Sequence, residues 1–98
     1  MRVRHADSQV EALETDSTLD GAYAAGIPRA YRKLMNLIRN AVDERAFYAM
    51  KALHFKKLKP PFEHQHSMRL NDQWRLVLEF EGKGSSKVVV VVGIKDYH

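Results

Sequence analysis

Leu70-Asn71-Asp72-Gln73-Trp74-Arg75-Leu76-Val77-Leu78-Glu79-Phe80 decides the fold. From Trp74 on, a large apolar residue stands at every second position and Arg75, Val77 and Glu79 lie between, the period of a half-buried strand. Upstream the same period continues, with Met68 and Leu70 on one face and Ser67, Arg69 and Asn71 on the other. Asn71-Asp72-Gln73 reads as a tight hairpin turn between the two strands. Downstream, Gly82-Lys83-Gly84-Ser85-Ser86 is a second, flexible turn. Residues 87–95 then carry the run Val88-Val89-Val90-Val91-Val92-Gly93-Ile94, which predicts a central strand buried on both faces. The C-terminal third is therefore a three-stranded meander.

Upstream of the meander the period lengthens. Pro60-Pro61 ends anything helical. Pro28 sits where a first helical residue is welcome, and Tyr31, Leu34, Leu37, Ile38, Ala41 and Val42 follow at helical spacing. Arg29, Arg32, Lys33, Asn36, Arg39 and Asn40 occupy the other face. Asp43-Glu44 starts a further helical piece carrying Phe47, Met50 and Leu53. Near the N-terminus, Ser8 with Glu11 has capping-box spacing, and Val10, Leu13 and Leu19 give a thin apolar stripe. Met1–His5 reads as a short edge strand, and residues 22–26 as a linker. The expected architecture is α+β over one domain, residues 1–98. It has an N-terminal edge strand and two or three helices packed on one face of an antiparallel sheet, the other face being open.

That open face organises the functional reading. Trp74, Leu76, Leu78 and Phe80 must face the helices, so Arg75 faces away, with Arg69 beside it. The last strand delivers Asp96-Tyr97-His98 to the rim, and the lysine segment 56–59 can fold over the same side. Cations, a phenol and an imidazole then converge on one surface. RNA can be cut by such a set without metal: a base takes the 2′-hydroxyl proton, the oxygen attacks the adjacent phosphorus, an acid protonates the leaving 5′-oxygen, and cations stabilise the phosphorane. Each residue also has a structural reading. His98 is a chain end, Tyr97 can cap the core, Asp96 can pair with Lys95 or Arg75, and Trp74 fits the core better than a stacking platform. His64-x-His66 lacks a third ligand at defined spacing, so neither a metal nor any other cofactor is expected.

Composition is compatible with this. The 98 residues include no Cys, which excludes disulfides and thiolate chemistry. The formal charge is +4, unevenly spread. The first twenty residues hold five acids against Arg2 and Arg4, whereas residues 21–62 hold nine bases against Asp43 and Glu44. A basic middle suits a polyanionic partner, and equally a solvated face. No apolar stretch has the length of a membrane span and Met1-Arg2-Val3-Arg4-His5 is not a signal-peptide core, so a cytoplasmic protein with no membrane partner is expected.

The segments Arg69-Leu70-Asn71-Asp72-Gln73-Trp74-Arg75-Leu76 and Asp96-Tyr97-His98 together resemble the HigB toxins of the RelE/ParE superfamily, in bacterial toxin–antitoxin systems. Members carry a strand of the form R-[IV]-N-x-Q-W-R-[IL] and end in D-Y-H. In outline the resemblance extends to Gly26-Ile27-Pro28 and Lys57-Leu58-Lys59, and only the last third is specific. It implies a RelE-like fold and an endoribonuclease that cleaves mRNA on the ribosome. It also implies a cognate antitoxin, a HigA-like helix-turn-helix protein. By the same resemblance Asp96, Tyr97, His98, Arg75, Arg69 and Lys59 are catalytic, with Lys56, Lys57 and His54 as RNA-binding candidates. The chain departs from the pattern at Leu58-Lys59-Pro60-Pro61-Phe62-Glu63-His64, where the family often reads L-K-G-D-x-x-G. The family's histidine three residues before that lysine is Lys56 here, with His54 nearby and out of register. A ParE-like gyrase-directed toxin and a non-catalytic nucleic-acid-binding or interaction module are the alternatives.

Overall fold

The computed structural model describes residues 1–16, 18–19 and 23–96, and of Ser85 only the backbone. Two of the sequence-predicted site residues, Tyr97 and His98, lie outside the described residues. Strand β1 (Arg2–His5) leads into helix α1 (Ser8–Thr15), α2 (Ile27–Asn40) and α3 (Arg45–Ala49), then a 3-10 turn at Lys51–Leu53. The strands β2 (Lys56–Lys57), β3 (Gln65–Arg69), β4 (Trp74–Glu81) and β5 (Val88–Asp96) follow. The five strands form one sheet in the order β1-β5-β4-β3-β2. The α+β class and the meander β3-β4-β5 are as the sequence predicts. Two points differ. β1 pairs with β5 in parallel, so the sheet is mixed, because a chain returning through helices can re-enter the sheet in the same direction. Lys56–Lys57, expected only to fold over the sheet, is itself a short outer strand antiparallel to β3.

Helices and sheet meet through Val10 and Leu13 of α1, Tyr31, Leu34, Met35 and Ile38 of α2, Phe47, and the sheet residues Met68, Leu76, Leu78, Val89 and Val91. Burying each such side chain contributes about 1.5–3 kcal/mol. Leu76 and Leu78 are fully buried, as the alternation predicts, whereas Trp74 stays at the rim, edge-on to Tyr23 with ring centroids 6.5 Å apart. Three predicted apolar positions fall outside, among them Met50, 43% exposed just past the end of α3. Helix α2 ends at Asn40, which leaves Val42 90% exposed, and Leu19 lies beyond the end of α1 and is exposed. The cap of α1 is Asp7 rather than Ser8, its carboxylate accepting from the Gln9 N–H at 2.7 Å.

Two arginines of α2 hold α1 in place. Arg32 donates to the carbonyls of Leu13 and Asp16 at 2.8 and 3.0 Å, and to that of Leu19, where α1 leaves carbonyls unpaired. Arg39 grips Glu14 through Nε and Nη2 at 2.6 and 2.9 Å. This guanidinium is the main reason the Glu14 carboxyl lies below its usual range. Much of the expected basic face of α2 is thus spent on packing. At the other end of α2 the Met1 ammonium donates to the carbonyls of Ile38, Arg39 and Ala41, a cation where the helix dipole favours one.

One irregularity sets the face of the last strand. Val77 pairs with Gly93 but Leu78 pairs with Val91, so Val92 is the extra residue of a β-bulge. Val89 and Val91 face the core before the bulge; after it the parity inverts and Ile94 takes the core side. Among the described residues, no helix is long and apolar enough to cross a membrane.

Candidate functional site

The hairpin between β3 and β4 is built by Asn71. Its side-chain oxygen accepts from the N–H of Gln73 at 2.9 Å and of Trp74 at 2.8 Å, while the Leu70 N–H donates to the Trp74 carbonyl at 2.9 Å. This Asx-type turn fixes the register, and the register places Arg69 directly across from Arg75. Partners in an antiparallel pair share a face with Cα atoms roughly 5 Å apart, so the two arginine side chains leave the sheet on the same face.

Arg75 is held from beneath. Its Nε donates to the Ser67 hydroxyl at 2.8 Å, and Nη2 donates to the His54 carbonyl. Ser67 is fully buried although it lies on the outer face, because the Arg75 side chain covers it. His54 presents its carbonyl from a left-handed conformation, φ 47°, at the reversal between the 3-10 turn and β2. Arg69 forms an ion pair with Asp72. Lys56 is the register partner of Ser67, hence on the same face. His54, Lys56, Arg69, Asn71, Asp72 and Arg75 line one open cavity of about 420 Å³.

The other predicted site residues are distributed differently. Lys57 pairs with His66 and so faces the helix side. Lys59 borders a neighbouring groove with Lys56, Lys57, Leu58, Pro60 and Phe62, at the outer edge of β2. Asp96 pairs with Trp74, whereas Lys95 pairs with Arg75. The bulge sets Lys95 across from Arg75, and Asp96, at the end of the strand, also borders a shallow pocket with Phe62, Gln65, Val77 and Lys95. The Gln73 amide donates to the Asp96 carboxylate at 3.0 Å.

Of the two histidines read as a possible metal pair, His66 belongs to the packed side. It stacks on Phe55 with centroids 5.1 Å apart and meets Phe80 edge-on at 5.2 Å. Burial pushes its pKa down, with Lys57 adding to the shift. His64 instead approaches Glu79 on the outer face at 3.7 Å. Among the described residues no group of three His, Asp or Glu is arranged to hold a metal ion.

Sequence reasoning put Ser67 and Asn71 on this face without giving them a role, and passed over Asp72 and Lys95 as parts of it. The alternation placed Ser67 correctly, but nothing in it says that a small hydroxyl would anchor an arginine on the next strand. The bulge that sets Lys95 across from Arg75 leaves no mark in a run of five valines. Chemically, three cations and a histidine lining one concave, solvent-open surface can accept an anion with forked oxygens, a phosphodiester among them.

No protein-family model matches the chain, and no curated protein matches it. Among solved structures the chain is similar to a YoeB/ParE toxin from Agrobacterium tumefaciens, with TM-score 0.63, 20% identity and all of both chains covered. It is also similar to YafQ from E. coli strain BL21(DE3), with TM-score 0.60 and 13% identity, over 98% of this chain and 93% of that one. The likeness is one of fold, and the RelE-like architecture is borne out: three helices against a mixed five-stranded sheet.

Proposed function

We propose that this chain is the toxin of a toxin–antitoxin pair, of the HigB-like type, and a metal-independent endoribonuclease that cleaves mRNA on the ribosome. The observation that carries the reading is the Arg69–Arg75 cross-strand pair, sharing one cavity with Lys56 and His54. In this account Arg75, oriented by Ser67 and the His54 carbonyl, binds the scissile phosphate and stabilises charge on the phosphorane. Arg69 and Lys56 hold non-bridging or flanking phosphate oxygens. Proton transfer falls to the C-terminal Asp96-Tyr97-His98, with His54 as a further proton carrier at the cavity wall. The 2′-oxygen forms its bond to phosphorus as its proton leaves, and the 5′-oxygen departs with a proton from the acid, giving a 2′,3′-cyclic phosphate. Lys57 and Lys59 meet RNA outside the cavity. Residues 1–98 act as one cytoplasmic domain, and the partner that restrains it is a HigA-like helix-turn-helix antitoxin.

A second reading, a non-catalytic nucleic-acid-binding module, draws support from Lys59, which borders the neighbouring groove rather than the Arg69–Arg75 cavity. A gyrase-directed toxin remains the alternative within the same fold, the Agrobacterium neighbour being described as a YoeB/ParE toxin. Incubation with translating ribosomes, and separately with gyrase and supercoiled DNA, distinguishes the three. Message cleavage on ribosomes is expected. Inhibited supercoiling with intact message, or binding of RNA without cleavage, would contradict the proposal.

A further inference from the structure

Phe62 is a large apolar side chain left 54% exposed on the outer side of the sheet. It is not a loose loop residue. Its N–H donates to the Lys59 carbonyl at 2.9 Å and its carbonyl accepts from the Gln65 N–H at 2.9 Å. Pro60 and Pro61 restrict the backbone just before it. The ring therefore stands exposed on a fixed stem, the condition under which an aromatic contributes contact area at little ordering cost.

Its surroundings differ on its two sides. On one lies the groove lined by Lys56, Lys57 and Lys59. On the other lies a shallow pocket formed with Gln65, Val77, Lys95 and Asp96. Val77 is 1% exposed, and its cross-strand partner Gly93 carries no side chain. Gln65, bonded to Glu79 at 2.9 Å, adds polar groups at the edge. Lys56 borders both the lysine groove and the Arg69–Arg75 cavity. Val77 follows Arg75 by two positions on β4, about 7 Å along the same face. A strand whose phosphate sits at Arg75 therefore passes along the face that Val77 and Phe62 border.

We propose that Phe62 is a stacking platform for an unpaired nucleobase, flanking the phosphate bound at Arg75 on single-stranded RNA. The inference rests on the nuclease reading above and adds to it a subsite. The segment Pro60-Pro61-Phe62, where the chain departs from its family's usual glycine-bearing loop, here supplies a base contact. Removal of base–aromatic stacking weakens binding roughly 5- to 100-fold.

The test uses fluorescence anisotropy with a short single-stranded RNA, fully 2′-O-methylated so that binding is read without cleavage. Wild type, Phe62→Ala, Phe62→Trp and Arg75→Ala are titrated with the intact oligonucleotide and with a series carrying one abasic position each. Phe62→Ala is expected to weaken binding at least fivefold and Phe62→Trp to keep it. At one position an abasic site should cost wild type the same factor and Phe62→Ala nothing further, the signature of a direct pair. Loss with Arg75→Ala but none with Phe62→Ala overturns this inference alone. No loss with either overturns the nuclease reading as well. Losses from Phe62→Ala and every abasic site that simply add also overturn it, as does a Phe62-dependent affinity for polyglutamate with none for RNA.

Discussion

Arg75 bears the heaviest assignment of any single side chain. Its guanidinium is fixed by two hydrogen-bonded partners, so its role depends on shape as well as charge. Arg75→Ala is expected to lower the cleavage rate about 100- to 1000-fold with an unchanged circular dichroism spectrum. Arg75→Lys restores only part, because an ammonium cannot reproduce the fork. Ser67→Ala removes a hydrogen bond to a charged group and leaves Arg75 in place, so a milder loss of about tenfold is expected. Single-turnover cleavage by the variants measures all of these. His66 is a different case, since it is partly buried against Phe55 and Phe80 and its pKa is depressed. The folded protein therefore holds fewer protons there than the unfolded chain. The contribution of neutral His66 is complete above the ordinary histidine range, roughly pH 6.5, and is lost as pH falls toward the lower folded value. Urea titrations at pH 7.5 and pH 5.5 should show lower stability at the acid value, and His66→Phe should reduce the difference. An equal pH dependence in wild type and variant would contradict this.

At the scale of elements, the strands were legible and their exceptions were not. Alternation at residues 74–80 gives the faces of β4 directly, because period two leaves one side for the core. The Asn71 turn then follows from residue chemistry. The parallel pairing of β1, the bulge at Val92 and the strand character of Lys56–Lys57 depend on contacts between distant segments, which neither period nor propensity records. The basic face of α2 was visible as a pattern, but its use was not: Arg32 and Arg39 turn toward α1 because that helix ends in unpaired carbonyls and Glu14. From the latter pair comes a second pH effect. Glu14 is held below its ordinary range, chiefly by the Arg39 hydrogen bond, so its contribution is complete above about pH 4.3 and fades as pH falls through the lower folded value. Glu14→Gln is expected to cost up to about 1 kcal/mol at neutral pH and to flatten the acid side of the stability curve, read by thermal melts from pH 3 to 7. The end of β5 supplies a separate test. The core contacts of that strand extend to Ile94, so removal of Asp96-Tyr97-His98 should leave the melting transition cooperative. If those residues move the protons, activity falls roughly 100- to 10,000-fold. Full activity in the truncated chain would remove them from the mechanism.

Across the whole molecule, α1 and α2 are joined by their own ion pair, whereas Lys56, Arg69 and Arg75 line one cavity at the sheet. The fold class was readable from sequence because hydrophobic period and turn chemistry agree along the C-terminal third. The site was readable in part. Arg69 and Arg75 share a face by alternation alone, whereas His54 reaches them through a backbone reversal and Lys95 is set across from Arg75 by the bulge. Cutting of message by this surface can be read inside a cell. The most direct measurement maps RNA 5′ ends after induction of the wild-type chain and of Arg75→Ala, without an antitoxin. The account predicts new ends inside translated reading frames with wild type, their loss when translation initiation is blocked, and near-background levels with Arg75→Ala. Growth arrest with intact message, or equal cleavage by both chains, would contradict it.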